Sequence, residues 1–305
     1  MPGPLMLLDT ASLYFRAFFG VPDTRKSAHA PPTNAASGLL DMIARLIREH
    51  RPGAVIACWD DDWRPQFRVD LISSYKEHRV ATGQQGEKVP DALQEQIPLI
   101  EALLVAVGIP PVGVAGHEAD DVIGTYATQS KGPVDVVTGD RDLFQLIDDR
   151  RRVRVLYTAR GIARLEIVNS GYVVDKYGVR PDQYADMAAL RGDPSDGLPG
   201  VAGIGEKTAA SLLRKYEDLA GVRHAVEIAD PGLSPRLLAS LRAADDYLDR
   251  APTVVQVATQ LPVPPAPAGY AQPDMELLDA IGTEFGIASS ITRIVQAIAD
   301  QTSEE

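Results

Sequence analysis

One cysteine, Cys58, stands in 305 residues, so no disulfide can form within the chain. Its place inside an apolar run marks a small core residue rather than a nucleophile. Histidine is also scarce, with five, which turns attention away from the imidazole and thiolate sets that hold zinc. No apolar stretch reaches the length of a membrane span, and no cationic segment precedes the short apolar run at the N-terminus. Neither a membrane protein nor a secreted one is expected, and the setting reads as cytoplasmic. The length suits one large domain or two, with apolar content enough for a substantial core.

Carboxylate is what the chain has in excess: 42 acidic residues against 30 basic ones, a net charge of -12. Taken whole, that balance opposes binding to nucleic acid. Nine of the acids, however, are Asp9, Asp60, Glu118, Asp120, Asp121, Asp140, Asp142, Asp193 and Asp196, and most fall where an apolar run ends. Setting those nine aside leaves 33 acidic residues against 30 basic, so where the basic residues gather is the better guide.

Pro4-Leu5-Met6-Leu7-Leu8 runs into Asp9, and Ala54 to Trp59 runs into Asp60. Val134 to Gly139 delivers Asp140, with Asp142 two residues on. Helical patterns over Thr33 to His50 and Asp91 to Val107 lie between these strands, which predicts an α/β chain with a mostly parallel, buried sheet. Ligand sites in such sheets form beyond the carboxyl ends of the strands. One aspartate there is an ordinary turn former or helix cap. Three in succession are more than that. Glu118-Ala119-Asp120-Asp121 follows a strand expected over Ile109 to Val114 and opens a helix over Val122 to Gln129, with Glu118 and Asp121 on one face. Carboxylates packed this closely repel one another, and divalent cations resolve the repulsion. All-oxygen donors favour magnesium or manganese over zinc.

Two further segments carry the basic residues. Trp63 to Lys88 is too charged for the core as written and reads as an insertion over the site, with Arg64, Arg68, Lys76, His78 and Arg79 interleaved with Phe67 and Tyr75, then a loop through Gly83 and Gly86. Cations with aromatics suit a nucleic-acid backbone, and equally a solvated amphipathic helix. Gly192-Asp193-Pro194-Ser195-Asp196 leads through Gly203-Ile204-Gly205 to Lys207 and Thr208, between helical runs Pro181 to Arg191 and Glu206 to Tyr216. Gly203-Ile204-Gly205 alone is a turn, whereas with Lys207 and a helix start it can offer N–H groups to phosphate.

Three ordered motifs give the chain a resemblance to the 5'-nuclease family, which includes flap endonucleases and the 5'-3' exonuclease domain of bacterial DNA polymerase I. They are Glu118-Ala119-Asp120-Asp121, Thr138-Gly139-Asp140-Arg141-Asp142, and Gly192-Asp193-Pro194-Ser195-Asp196 followed by Leu198-Pro199-Gly200-Val201. Asp9 with Ser12 and Arg16, Pro32-Thr33-Asn34-Ala35, Phe67-Arg68, and Tyr75-Lys76 with Arg79 support it. The resemblance implies a PIN-like 5'-nuclease fold: a nuclease core over 1–175 whose insertion, 63–90, is a helical arch, then a helical unit over 176–305 whose helix-turn-helix, 181–216, clamps DNA and holds a monovalent cation such as K+. It implies Asp9, Asp60, Glu118 and Asp120 at a first metal and Asp140, Asp142, Asp193 and Asp196 at a second, about 4 Å away in two-ion hydrolases, with Asp120 bridging and Asp121 in support. Arg68, Lys76 and Arg79 would steer the scissile phosphate, and Phe15, Arg16, Tyr75, Gly203, Gly205, Lys207 and Thr208 would meet DNA.

The implied activity is 5'-3' exonuclease and flap endonuclease action on flapped, nicked or gapped DNA in replication and repair. A monomer acting alone, or beside a separate polymerase or ligase, would follow. The family commonly has tyrosine where Phe15 stands and asparagine where Gly197 stands, so a hydroxyl contact is lost at the first and loop stiffness changes at the second. A PIN-type ribonuclease would need fewer carboxylates and no arch or clamp, and a non-catalytic DNA-binding module would leave gaps among the nine acids. A haloacid dehalogenase phosphatase would want an aspartate where Ala11 stands.

Overall fold

The computed structural model of the protein describes residues 3–23, 25, 30–81 and 86–302; Gly83, in the expected arch loop, lies outside them. Six strands form one sheet: β1 (Leu5–Asp9), β2 (Ala54–Cys58), β3 (Pro111–Val112), β4 (Val134–Thr138), β5 (Val153–Tyr157) and β6 (Glu166–Val168). Their order is β3-β2-β1-β4-β5-β6, parallel throughout except for β6, which runs against β5. β1 and β4 sit at the centre, so the ends of neighbouring strands deliver Asp9 and the turn carrying Asp140 side by side.

Both faces are covered, as a parallel sheet requires. Leu7, Ile56, Val134, Val136 and Val155 face helices Ala119–Gln129, Tyr184–Arg191 and Glu206–Tyr216. Met6, Leu8, Val55, Ala57 and Val137 turn the other way, toward Asn34–His50, Ile97–Ala106, Met275–Phe285 and Ala288–Thr302. Alternate residues of one strand thus feed opposite layers.

Several sequence expectations shift by identifiable causes. The strand expected over Ile109 to Val114 shrinks to two residues at the sheet edge, where Pro110-Pro111 withholds two donors from the ladder. The helix expected over Asp91 to Val107 breaks into Asp91–Gln94 and Ile97–Ala106, because Pro98 lacks an N–H and crowds the carbonyl four residues back. Gln96, buried in that break, accepts from the N–H groups of Ala35 (2.8 Å) and Ala36 (3.2 Å) and so caps Asn34–His50. The apolar periodicity that runs over Met275 to Ala299 in the sequence is split between helices Met275–Phe285 and Ala288–Thr302 at Gly286, whose φ of 69° closes the first. The proline-rich stretch 262–273 is mostly exposed and without regular structure, and Tyr270 ties it down through a 3.1 Å hydrogen bond to the Pro52 carbonyl.

The insertion belongs to the core more than its charge suggests. It contains helix Gln66–Leu71 and a 3-10 turn at Glu77–Arg79, closed by an antiparallel bridge between Val80 and Glu87. Ile72 and Tyr75 are buried in a small cluster with Ala185, Ala188, Leu198 and Val254. Among the described residues no helix is long and apolar enough to cross a membrane.

Candidate metal centre and nucleic-acid interface

A cavity of about 830 Å³ opens at the carboxyl ends of the central strands. Asp9, Asp60, Glu118, Asp120, Asp140 and Asp193 line it, joined by Glu87 from the insertion; Lys76, Arg79, Arg16 and Arg141 supply the cations, and Phe15, Phe19 and Trp63 the aromatic surface. No thiol or imidazole is among its walls.

Each acid is held by the element that delivers it. Asp9 ends β1 and caps the following helix, accepting from the Ser12 N–H (3.1 Å) and the Thr138 hydroxyl (2.7 Å). The same Thr138 oxygen accepts from the Asp140 N–H (2.9 Å), so one hydroxyl joins the ends of β1 and β4. Gly139 leaves room for this, since a Cβ there would stand 2.8 Å from the Ser12 hydroxyl. Asp60 accepts from the Ala119 N–H (2.7 Å) at the start of Ala119–Gln129, where Glu118 and Asp121 form a reciprocal capping box. Asp193 accepts from the N–H of Ser195 (2.8 Å) and from Arg191 (3.2 Å).

Burial is the main cause of the raised pKa values of Asp9, Asp60, Asp120, Asp142 and Asp196. Asp9 is pushed up to about 7 by desolvation, with Asp60 and Asp140 adding repulsion against the Thr138 and Ser12 hydrogen bonds. Asp120 is raised by desolvation and then by Asp9 and Asp140; Asp142 by desolvation and then by Asp140, Asp196 and Asp193. Asp60 and Asp196 rise through burial as well. These groups share one field of negative charge that the protein alone does not neutralise. Among the described residues no three His, Cys, Asp or Glu side chains converge on a common point; the carboxylates ring a cavity instead. Hard oxygen donors, burial and mutual repulsion fit divalent cations.

Two of the cations over the cavity are bound to acids. Lys76 donates to Glu118; burial lowers its ammonium pKa, but Glu118, Tyr75, Asp196 and Asp120 together outweigh burial and raise it. Arg79 donates to Asp196 (3.0 Å) and to the Ser195 carbonyl (2.8 Å). Lys76 itself has a left-handed backbone, φ 48°, and its N–H donates to the Asp196 carbonyl (3.0 Å). Ser74 donates to the Gly197 carbonyl (2.7 Å), and a Cβ on Gly197 would lie 2.0 Å from the Ser74 carbonyl oxygen. Gly197 is the residue that lets the insertion dock on the Asp193–Asp196 turn.

Of the expected site residues, Arg68, Asp121 and Tyr75 stand apart from the cavity, and Asp142 and Asp196 are not among its walls. Arg68, 3% exposed, grips Asp121 with both Nη atoms (2.9 and 2.7 Å), also donates to Glu118, and reaches the Val254 carbonyl (3.0 Å). Asp121, with no exposed surface, is further satisfied by the Ala258 N–H (2.8 Å). Tyr75 is buried, with its hydroxyl donating to Glu118 (2.7 Å). All three hold Glu118 or its helix in place rather than facing a ligand. Phe15 and Arg16 do line the cavity, whereas Gly203, Gly205, Lys207 and Thr208 lie outside it, at the start of Glu206–Tyr216. Sequence reasoning gave no role to Thr138, Arg141, Trp63 or Glu87. The first two sit inside a motif already marked by its aspartates, which was the available signal.

An acid-walled cavity at the strand ends of a parallel sheet, with lysine and arginine poised above it, defines a phosphodiester-cleaving metal hydrolase. Residues 4–178 match the family model of the 5'-3' exonuclease N-terminal resolvase-like domain, and residues 179–276 that of the 5'-3' exonuclease C-terminal SAM fold. A 5'-3' exonuclease of Streptomyces coelicolor is 54% identical over 301 residues, covering 96% of this chain and 99% of that protein. DNA polymerase I of Mycobacterium leprae is 43% identical over 227 residues, covering 73% of this chain and 24% of the polymerase. The bacteriophage T5 flap endonuclease, solved in a complex with DNA and metal ions, superposes with a TM-score of 0.62 at 19% identity, over 96% of this chain and 99% of that one. The chain belongs to the 5'-3' exonuclease family, nucleases among which metal dependence is typical.

Proposed function

We propose that the protein cuts DNA at 5' flaps and nicked or gapped duplex ends, with magnesium or manganese as the working ions. The observation that carries this reading is the shared field of raised carboxylate pKa values around one cavity at the strand ends. Asp9, Asp60, Glu118 and Asp120 would hold one ion, and Asp140, Asp142, Asp193 and Asp196 a second, with Asp120 between. Bound there, such ions supply a nucleophilic water at neutral pH and neutralise charge on the leaving oxygen. The chain's own residues do the rest. Lys76 and Arg79 meet the scissile phosphate from above and stabilise its developing negative charge. Arg68, Asp121 and Tyr75 fix Glu118, so its carboxylate does not have to be oriented anew at each turnover. Phe15 offers a ring face to a terminal base, and Arg16 a guanidinium to the backbone. Gly203, Gly205, Lys207 and Thr208 would present N–H groups and charge to the duplex, around a potassium ion. A cytoplasmic monomer working beside a separate polymerase or ligase completes the reading.

The test is cleavage of a 5'-labelled flap duplex in magnesium or manganese by wild type and Asp120→Asn, with flap binding measured in calcium. Cleavage lost in the variant while binding persists supports the assignment. No cleavage by wild type in either metal overturns it, and preference for single-stranded RNA would favour the ribonuclease reading.

A further inference from the structure

A second, smaller cavity of about 390 Å³ lies beside the first, lined by Arg141, Tyr157, Ala159, Arg160, Glu166, Lys176, Tyr177 and Glu206. Arg141 lines both cavities. Arg16, a wall of the first, donates to the carbonyl of Ala159, a wall of the second (3.4 Å). Four cations, Arg16, Arg141, Arg160 and Lys176, therefore lead out of the carboxylate cavity into this pocket.

The pocket's own acids do not cancel them. Glu206 is drawn to Arg191 at 3.5 Å, a residue outside the lining. Glu166 accepts from the Tyr172 hydroxyl and is one carboxylate shared by two cations, in long ion pairs with Arg160 (3.7 Å) and Lys176 (3.9 Å), while Lys176 also donates to the Tyr172 hydroxyl (2.5 Å). Arg141 lies in the field of Tyr184, Tyr177 and Tyr157 and, among the described residues, pairs with no carboxylate. Phe144 packs against Tyr157 and Tyr177, with ring centroids 5.2 and 6.0 Å away, and so stiffens the two tyrosines. Guanidinium forks and an ammonium around a concave, tyrosine-lined space suit a phosphate carried on a sugar.

We propose that this side pocket is a second phosphate site, holding a phosphate of the DNA strand next to the carboxylate cavity, an inference that rests on the DNA reading above. Two sources supply the same chemistry: a terminal 5'-phosphate, or an internal phosphodiester of the strand. The distinction matters, because the first makes the enzyme sense the state of the 5' end and the second only lengthens its grip.

The experiment is equilibrium binding in calcium of nicked duplexes with a 5'-phosphate or a 5'-hydroxyl at the nick, by wild type and by Arg160→Gln/Lys176→Gln. Neither residue lines the carboxylate cavity, so flap cleavage at saturating DNA should persist and mark a folded enzyme. A Kd raised about tenfold, with a salt slope reduced by about 0.9 for the lost phosphate contact, supports the site. Loss confined to the phosphorylated duplex assigns the terminal phosphate; equal loss on both assigns the internal one. Lys176→Arg with Arg160→Lys should bind as wild type. Should the double variant fail to fold, Arg160→Gln alone replaces it, since that side chain is 75% exposed. An unchanged Kd and salt slope on both duplexes, while wild type cuts flaps, overturns this inference alone. Wild type that neither binds nor cuts overturns the nuclease reading and this inference with it.

Discussion

Glu118 receives donors from Arg68, Tyr75 and Lys76, three residues of one insertion, while opening the helix that also carries Asp120 and Asp121. Arg68 is the residue on which that arrangement turns, because it satisfies both Glu118 and the fully buried Asp121. Arg68→Ala leaves buried carboxylates unpaired and should cost about 3–5 kcal/mol in denaturant unfolding, with cleavage reduced as Glu118 loses its orientation. Gly197→Asn places a Cβ 2.0 Å from the Ser74 carbonyl at φ 72°. The insertion must shift to admit it, so kcat should fall by about tenfold or more through displacement of Lys76, with DNA affinity much less changed. Most of the acids can be marked as candidates because they end an apolar run or open a helix, which are local patterns. The inward turn of Arg68 and Tyr75 cannot be read in the same way, since their partners lie 43 to 186 residues away and no spacing rule reports that.

At the scale of elements, β1, β2, β4 and most helices follow from periodicity, β5 and β6 are not among the expected strands, and the other departures trace to single residues: Pro98 inside a helical pattern, Gly286 between two helices, and Pro110-Pro111 in a strand reduced to the edge. Helix Ala288–Thr302 shows which contacts hold an element in place. Ile294 is buried without exposed surface against the Asn34–His50 layer, while Arg293 makes a half-exposed bidentate pair with Asp41 at 2.8 Å. Ile294→Ala should destabilise by about 2–5 kcal/mol. Arg293→Ala should cost under about 1 kcal/mol, despite its better-formed hydrogen bonds, because water screens the pair. Chemical denaturation of both variants checks the contrast.

For the whole molecule, the acid nest sets how stability responds to pH. Asp9 has its pKa raised from 3.8 to about 7 in the folded state. Between those values the folded form keeps a proton that the unfolded form has released, so without divalent ions stability falls as pH rises from about 4 to about 7. Melting in EDTA should fall across that interval, magnesium should restore it at neutral pH, and Asp9→Asn should melt about 2 °C or more above wild type in EDTA at pH above about 7. A wild-type melting point that rises over the same interval in EDTA would contradict the repulsion inferred here. The clasp around Asp121 has a consequence in time as well as in space. Its partners include the Val254 carbonyl through Arg68 and the Ala258 N–H. A chain emerging from the ribosome has made all nine candidate ligands by residue 196 but lacks that clasp for some sixty residues more, so the nascent protein remains incompletely assembled as a nuclease until Ala258 has been made and has folded back.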